Sequence, residues 1–328
     1  MRRRDLVLAA AAATLLPGIS LAQQPERVRR IGYLTAPGPD DLSGAMQRRA
    51  LMEGLRALGW VEGRDFSIEH RYSEGAVERI RANAKELVAL NPDVIVSAGG
   101  QQLAALLAET RTIPIVFTNV ADPVASGLVA SLSRPGGNAT GVGMYEAPLA
   151  GKWLELLKEI APNTARALVI MAAEAQPQRV LADAVAAAAP SVGLPVAIVS
   201  VREAADYDRE MAEFAQQPGG GVVALSNPIL GSHYDRVHAA AIRHRLPTVY
   251  SYPLYARTGG LVSYGPDTIA LFQELSRYVD KILRGAKPGD LPVQLPTRFV
   301  LAVNLRAAKA IGLTAPEALL ARADEVIE

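Results

Sequence analysis

Residues able to do chemistry cluster where short apolar runs of this sequence stop. The clearest case is Asn91–Gln102, NPDVIVSAGGQQ, in which Val94–Ser97 runs into Ala98-Gly99-Gly100 and then a helix-like segment from Gln101. Two readings of the glycine pair remain open. In one it serves only the turn; in the other it lets a ligand approach bare backbone N–H groups at a helix start, where partial positive charge favours a carboxylate or another anion, with Ser97 adding a hydroxyl. The stretch lacks the Lys-Ser/Thr of a P-loop and the spacing of a dinucleotide fingerprint, which argues against nucleotides. Other run ends carry Thr35, Thr118-Asn119-Val120-Ala121-Asp122-Pro123, Met171-Ala172-Ala173-Glu174, Ser226-Asn227-Pro228 and Tyr250-Ser251-Tyr252. Hydroxyls, amides and rings predominate, and no convergent acid, base and nucleophile stands out.

Each candidate has a plainer reading beside it. Tyr250, Tyr252 and Tyr255 place three rings within six residues, and Tyr33, Tyr145 and Tyr264 fall at expected strand ends. They could wall a ligand with an apolar body or simply pack a sheet edge. Asp122 could receive an ammonium, although Asp-Pro commonly opens a turn. His233, His238 and His244 are five and six residues apart, so one helix face cannot present all three to a metal. Ser200, Ser226 and Ser251 lack the elbow spacing of a hydrolase nucleophile. Gly219-Gly220-Gly221 precedes an apolar run and reads as a connector.

Those positions need a scaffold that delivers many strand ends to one place. Apolar runs of four to six residues alternate with helical periodicity, the signature of parallel sheets covered on both faces. Strands are predicted at 31–35, 66–70, 94–97, 113–118 and 139–142, with helices over 42–58 and 77–90 and from Gln101. Phe66–His70 alternates apolar and polar, which suits a sheet edge. The pattern restarts with a helix over 149–160 and a strand over 167–171, then runs through strands at 196–201, 221–225, 248–250 and 260–265. A long helix over 267–284 has Asp267 as its N-cap, and a strand at 298–303 and a helix over 305–311 follow. The expected architecture is α/β with two lobes: residues 28–143 plus 265–291, and residues 144–264 plus 292–328. Crossings are placed near Met144, Tyr264 and Pro292.

Composition narrows the function. At 328 residues, half of them hydrophobic and a fifth charged, the chain can bury two cores. Residues 1–22 combine a basic start, an apolar run over 6–16 and the small-residue exit Ser20-Leu21-Ala22, as in a secretory leader cleaved after Ala22. Arg3-Arg4-Asp5-Leu6-Val7 also loosely fits a twin-arginine pattern. The 34 basic and 33 acidic residues become 31 and 32 once Arg2, Arg3, Arg4 and Asp5 are removed. That near-neutral balance argues against nucleic acid. With no cysteine in the chain, disulfides, thiolate chemistry and a lipidated N-terminal cysteine are excluded. A monomer without cofactor is expected.

Longer segments then carry a resemblance. GLRALGWVEGRDFSIEHRYSEG, TIPIVFTNVADPVASGLVASLSRPGGNATGV, HRLPTVYSYPLYARTGGLVSYGPD and YVDKILRGAKPGDLPVQLPTRFVLAVNLRAAKAIGL are similar, in order and spacing, to ABC transporter substrate-binding proteins of the tryptophan or aromatic-amino-acid type. The likeness extends from about Val28 to Glu328. It implies a periplasmic-binding-protein fold of two Rossmann-like lobes joined by three crossings, which closes on a solute and docks on an inner-membrane permease. The cleft residues it implies are Thr35, Ser97, Gly99, Gly100, Gln101, Thr118, Asn119 and Asp122 on one lobe. On the other they are Asn227, Tyr250 and Tyr252, with Tyr264 and Asp267 near the hinge. The Ala172-Ala173 loop departs from the family pattern. The expected ligand is a small organic solute, an amino acid or an aromatic carboxylate. The alternatives are a periplasmic sensor and an exported α/β enzyme.

Overall fold

The computed structural model describes residues 27–120, 122–144, 149–173 and 176–328; the predicted leader, Ala121, Tyr145 and Glu174 lie outside them. The first half contributes β1 (Arg29–Thr35), α1 (Leu42–Ala57), β2 (Phe66–Tyr72), α2 (Val77–Ala89), β3 (Val94–Ala98), α3 (Gly100–Glu109), β4 (Ile115–Thr118) and β5 (Ala139–Gly141). These strands form one sheet in the order β2-β1-β3-β4-β5, parallel throughout. The alternating strand β2 lies at its edge, as its pattern predicts.

A second α/β unit follows. It runs α4 (Leu149–Ile160), β6 (Arg166–Ala172), α5 (Gln176–Val192), β7 (Val196–Val201), α6 (Ala204–Phe214), β8 (Gly220–Ala224), the short α7 (Pro228–Ser232) and α8 (Tyr234–Arg243). Next come β9 (Thr248–Tyr250), the one-turn α9 (Leu254–Arg257) and β10 (Val262–Pro266). The chain then forms α10 (Thr268–Leu283), β11 (Phe299–Asn304), α11 (Leu305–Ala310), α12 (Glu317–Leu320) and β12 (Glu325–Ile327). The second sheet has the order β12-β11-β10-β9-β8-β6-β7. Only the β10–β11 pair is antiparallel, because the chain doubles back there after visiting the other lobe.

That visit shapes the molecule. Helix α10 leaves the second sheet at Pro266 and lies on the first. Its Leu271, Phe272, Leu275 and Val279 pack with Leu51 and Leu55 of α1 and with Ile31, Val94 and Val116 of the sheet. The two helices approach so closely that a Cβ on Gly54 would lie 2.2 Å from the Ser276 Oγ. The chain returns past Gln294, whose carbonyl accepts the Gly143 N–H at 2.8 Å, and enters β11. The chain thus passes between the two sheets after β5, again between β10 and α10, and a last time on the way into β11.

The second lobe is built around the amphipathic helix α4. Trp153, Leu154, Leu156, Leu157 and Ile160 are all buried beneath the sheet with Val169, Val223 and Val249. The glycine run at 219–221 is more than a connector. Gly220 and Gly221 lie inside β8, where a Cβ would meet the Phe214 ring at 2.7 Å and the Leu157 side chain at 2.8 Å. Their small size lets α4 and α6 pack against the strand.

Candidate functional site

Parallel strands followed by helices point their carboxyl ends, and the helix starts beyond them, in one direction. In this molecule the strand ends of both sheets face a shared cleft of about 730 Å³. From the first lobe it is lined by the 36–38 loop, Asp41, Gln47, Glu74-Gly75, Gly99-Gly100-Gln101-Gln102 and Asn119. From the second come Ala172-Ala173, Gln178, Arg202-Glu203, Ser226-Asn227, Tyr252 and Tyr255, among others.

The β3–α3 junction is built around its glycines. Gly99 has φ +138°, a conformation open to glycine, and its N–H donates to the Thr118 carbonyl at 2.9 Å. The Gln102 amide folds over it so tightly that a Cβ there would lie 2.2 Å from Oε1. Gln102 Nε2 donates to Ser73 Oγ at 3.2 Å, and Ser73 donates to the Thr35 carbonyl at 3.1 Å. The Leu103 N–H closes the first helical turn on the Gly99 carbonyl. The three N–H groups before it have no intrahelical acceptor, and Gly100, Gln101 and Gln102 all line the cleft. Beside them Asn119, held at φ +58°, has a buried Oδ1 with no hydrogen-bond partner.

The second-lobe wall is tied together by amide side chains. Asn227 caps α7 by accepting the Leu230 N–H at 2.9 Å, while its Nδ2 donates to the Tyr207 hydroxyl and the Leu225 carbonyl. Gln178 accepts the Ala172 N–H at 2.7 Å and donates to the Ser226 carbonyl at 2.6 Å, so it clasps two strand ends. The Ser226 hydroxyl lies 3.3 Å from that of Tyr255. Burial raises the Tyr252 pKa, opposed chiefly by the Thr268 and Gln47 side chains that its hydroxyl faces. It therefore remains a neutral phenol at ordinary pH. Arg202 and Glu203 are exposed at the rim.

The structure divides the expected site residues into two groups. Gly99, Gly100, Gln101, Asn119, Asn227 and Tyr252 come together on the cleft wall. Thr35, Ser97 and Thr118 are fully buried behind it at the strand tips, with Ser97 Oγ donating to the Gly99 carbonyl. Asp122 lies outside the lining and accepts the Ala125 N–H at 2.9 Å, closing the turn that Asp-Pro suggests. Tyr250 points into the second-lobe core, its hydroxyl 2.9 Å from His238 Nδ1. Tyr264 stacks on Phe299, and its carbonyl accepts the Trp153 indole N–H at 2.7 Å. Asp41, Gln47, Gln102 and Gln178 also line the cleft, and sequence reasoning did not single them out. Only the Asp41 cap, three residues ahead of Gly44, leaves a local signal.

As chemistry, the arrangement suits capture. The wall offers backbone N–H groups, side-chain amides and phenolic hydroxyls, with Asp41 and Glu74 also among the lining. No described helix is long and apolar enough to cross a membrane.

Comparison with known proteins agrees with this geometry. Residues 42–327 match the family model described as "ABC transporter substrate binding protein". A curated relative from Clostridioides difficile (strain R20291), named "Tyrosine-binding protein", is 24% identical over 266 residues, covering 81% of this chain and 76% of that one. A crystal structure of a conserved domain protein from Vibrio cholerae superposes with a TM-score of 0.85 at 29% identity, over 92% of this chain and 100% of the other. A Streptococcus pneumoniae ABC domain in complex with L-Trp superposes with a TM-score of 0.84 at 24% identity, again over 92% and 100%. Two α/β lobes with parallel sheets are shared with these structures. Taken together with the cleft, the match over most of its length makes this chain a member of the ABC transporter substrate-binding protein family.

Proposed function

We propose that the protein captures a small organic solute in the interlobe cleft and delivers it to the permease of an ABC importer in the inner membrane. It performs no bond chemistry and works as a soluble periplasmic monomer after removal of residues 1–22. The observation that carries this reading is the cleft itself: about 730 Å³, a volume typical of small-molecule sites, walled by the strand ends of both sheets. A ligand touching both walls binds the closed arrangement better than the open one, and that difference drives closure.

The contacts fall to Gly99, Gly100, Gln101 and Asn119 on one side and to Asn227 and Tyr252 on the other. The N–H groups opening α3 receive a ligand carboxylate, with the neutral amides fixing its orientation. Micromolar capture needs roughly −8 kcal/mol. One charge-assisted contact, a few neutral hydrogen bonds and a buried apolar body supply that. Thr35, Ser97 and Thr118 support the wall from behind. The ligands named for the relatives make aromatic amino acids the first compounds to test.

The test is a thermal-shift and calorimetry panel of amino acids, aromatic carboxylates, nucleobases and short peptides on the processed protein. A true ligand raises the melting temperature with its concentration. Gly100→Pro deletes one N–H at a helix position that tolerates proline, so it should weaken the best ligand about tenfold while leaving the unliganded melting point within a few degrees. A panel without a single stabilising solute would sink the proposal; unchanged affinity in Gly100→Pro would return the glycine pair to turn-making alone.

A further inference from the structure

The lobes meet at more than their crossings. Met46 belongs to α1 of the first lobe, yet its half-buried side chain packs against the apolar cluster of the second lobe that holds Leu230, Tyr252, Leu254 and Tyr255. It stands outside the cleft lining. In the opposite direction Tyr252, just beyond β9, reaches towards the first lobe. It is 5% exposed, and its hydroxyl faces the buried side chains of Gln47 on α1 and Thr268 at the start of α10. A third meeting point lies between loops. A Cβ on Gly75, ahead of α2, would lie 3.4 Å from the Pro228 ring that opens α7.

Each of these contacts joins a residue of one lobe to a residue of the other, so each exists only while the lobes are together. Separating them returns the Met46 thioether to water, which apolar burial opposes. It also parts the Tyr252 phenol from its amide and hydroxyl neighbours in a site poor in water, where such contacts hold best. Both contacts therefore favour the closed arrangement whatever the cleft contains. Apparent affinity rises with the fraction of molecules already competent to bind, so contacts of this kind govern affinity without any need to touch a solute.

We infer that Met46 and Tyr252 are positioning residues that latch the two lobes together independently of any solute, and so set how tightly a solute is held. The inference rests on the solute-capture reading and deepens it: part of the closing force comes from the protein itself. Met46 supplies the apolar half of the latch from outside the cleft. Tyr252 supplies the polar half, gripping α1 and α10 through Gln47 and Thr268.

The chain has no cysteine, so Glu78→Cys on α2 and Val180→Cys on α5, both exposed, place one fluorophore pair across the two lobes. Single-molecule energy transfer on the processed protein without added solute should resolve a short-distance population of closed molecules. Met46→Ala, which suits a helix, should lower the ratio of closed to open molecules about fivefold. Tyr252→Phe should lower it by about the same factor, and the double variant further than either. Met46→Leu, close in volume, should restore the wild-type ratio, which a general loosening of α1 would not allow. Identical distributions in wild type and double variant overturn the latch, as does a wild type found only open. Because no solute enters the measurement, either result leaves the capture reading intact. If Met46→Ala fails to fold, Tyr252→Phe against wild type decides.

Discussion

Lowering the pH should destabilise this protein through one buried imidazole. His238 lies on α8 inside the second lobe, 4% exposed. Its Nδ1 is 2.9 Å from the Tyr250 hydroxyl and its Nε2 is 3.2 Å from Thr258 Oγ1, with the Tyr234, Tyr250 and Tyr255 rings around it. Burial pushes its pKa down to about 4, against a weaker opposing pull from Asp235. The unfolded chain takes up this proton near 6.5, before the folded one does, so stability is complete above 6.5 and drains away as the pH falls towards 4. Linkage makes the loss roughly 1.4 kcal/mol at pH 5.5 and about 2.6 kcal/mol at pH 4.5. Urea unfolding of wild type and His238→Gln across pH 8 to 4.5 isolates the effect, because the other titrating groups are common to both. The wild type should lose about 2–3 kcal/mol more than the variant over that range. Parallel stability curves would show that His238 is protonated in the fold or that its cavity admits water, and the burial argument would fail.

Two further outcomes test the packing. In an ordinary helix Gly→Ala stabilises by roughly 0.5–1 kcal/mol, but Gly54→Ala should destabilise by about 1–3 kcal/mol, since its Cβ would press on Ser276 where α1 crosses α10; chemical denaturation reads the sign directly. Gly221→Ala should cost a similar ~1–3 kcal/mol by colliding with Leu157, and Leu157→Val in the same chain should recover part of it. Additive losses in that double variant would place the strain elsewhere.

Much of the scaffold was legible because buried parallel strands announce themselves. Val94–Ala98 and Ala167–Met171 are apolar runs with turn residues beyond them, and Phe66–Tyr72 carries the alternation of an edge. The final strand Glu325–Ile327 left no such mark: three half-exposed residues pair only with β11. Gly220 and Gly221 misled because glycine that makes room for a neighbour looks the same in sequence as glycine that turns. The cleft was half legible. Backbone-driven features such as Gly99-Gly100 and Asn227-Pro228 show in local sequence, whereas Tyr250 and Tyr252 look alike until the chain bends out of β9 after Tyr250, which leaves one ring in the core and the other on the wall. Asp41, Gln47 and Gln178 belong to helices whose faces are chosen by tertiary packing, so no local pattern distinguishes them.

The excursion of α10 across to the first sheet has a consequence for how the chain comes off the ribosome. Residues 29–141 carry every strand of that sheet, yet the apolar faces of Ile31, Leu51 and Leu55 wait for Leu271, Phe272 and Leu275, more than a hundred residues later. The early half therefore emerges with a bare flank that only the late half can cover. No uninterrupted fragment reproduces either lobe, and a product that stops near residue 144 should expose that flank and aggregate instead of persisting as a small folded protein.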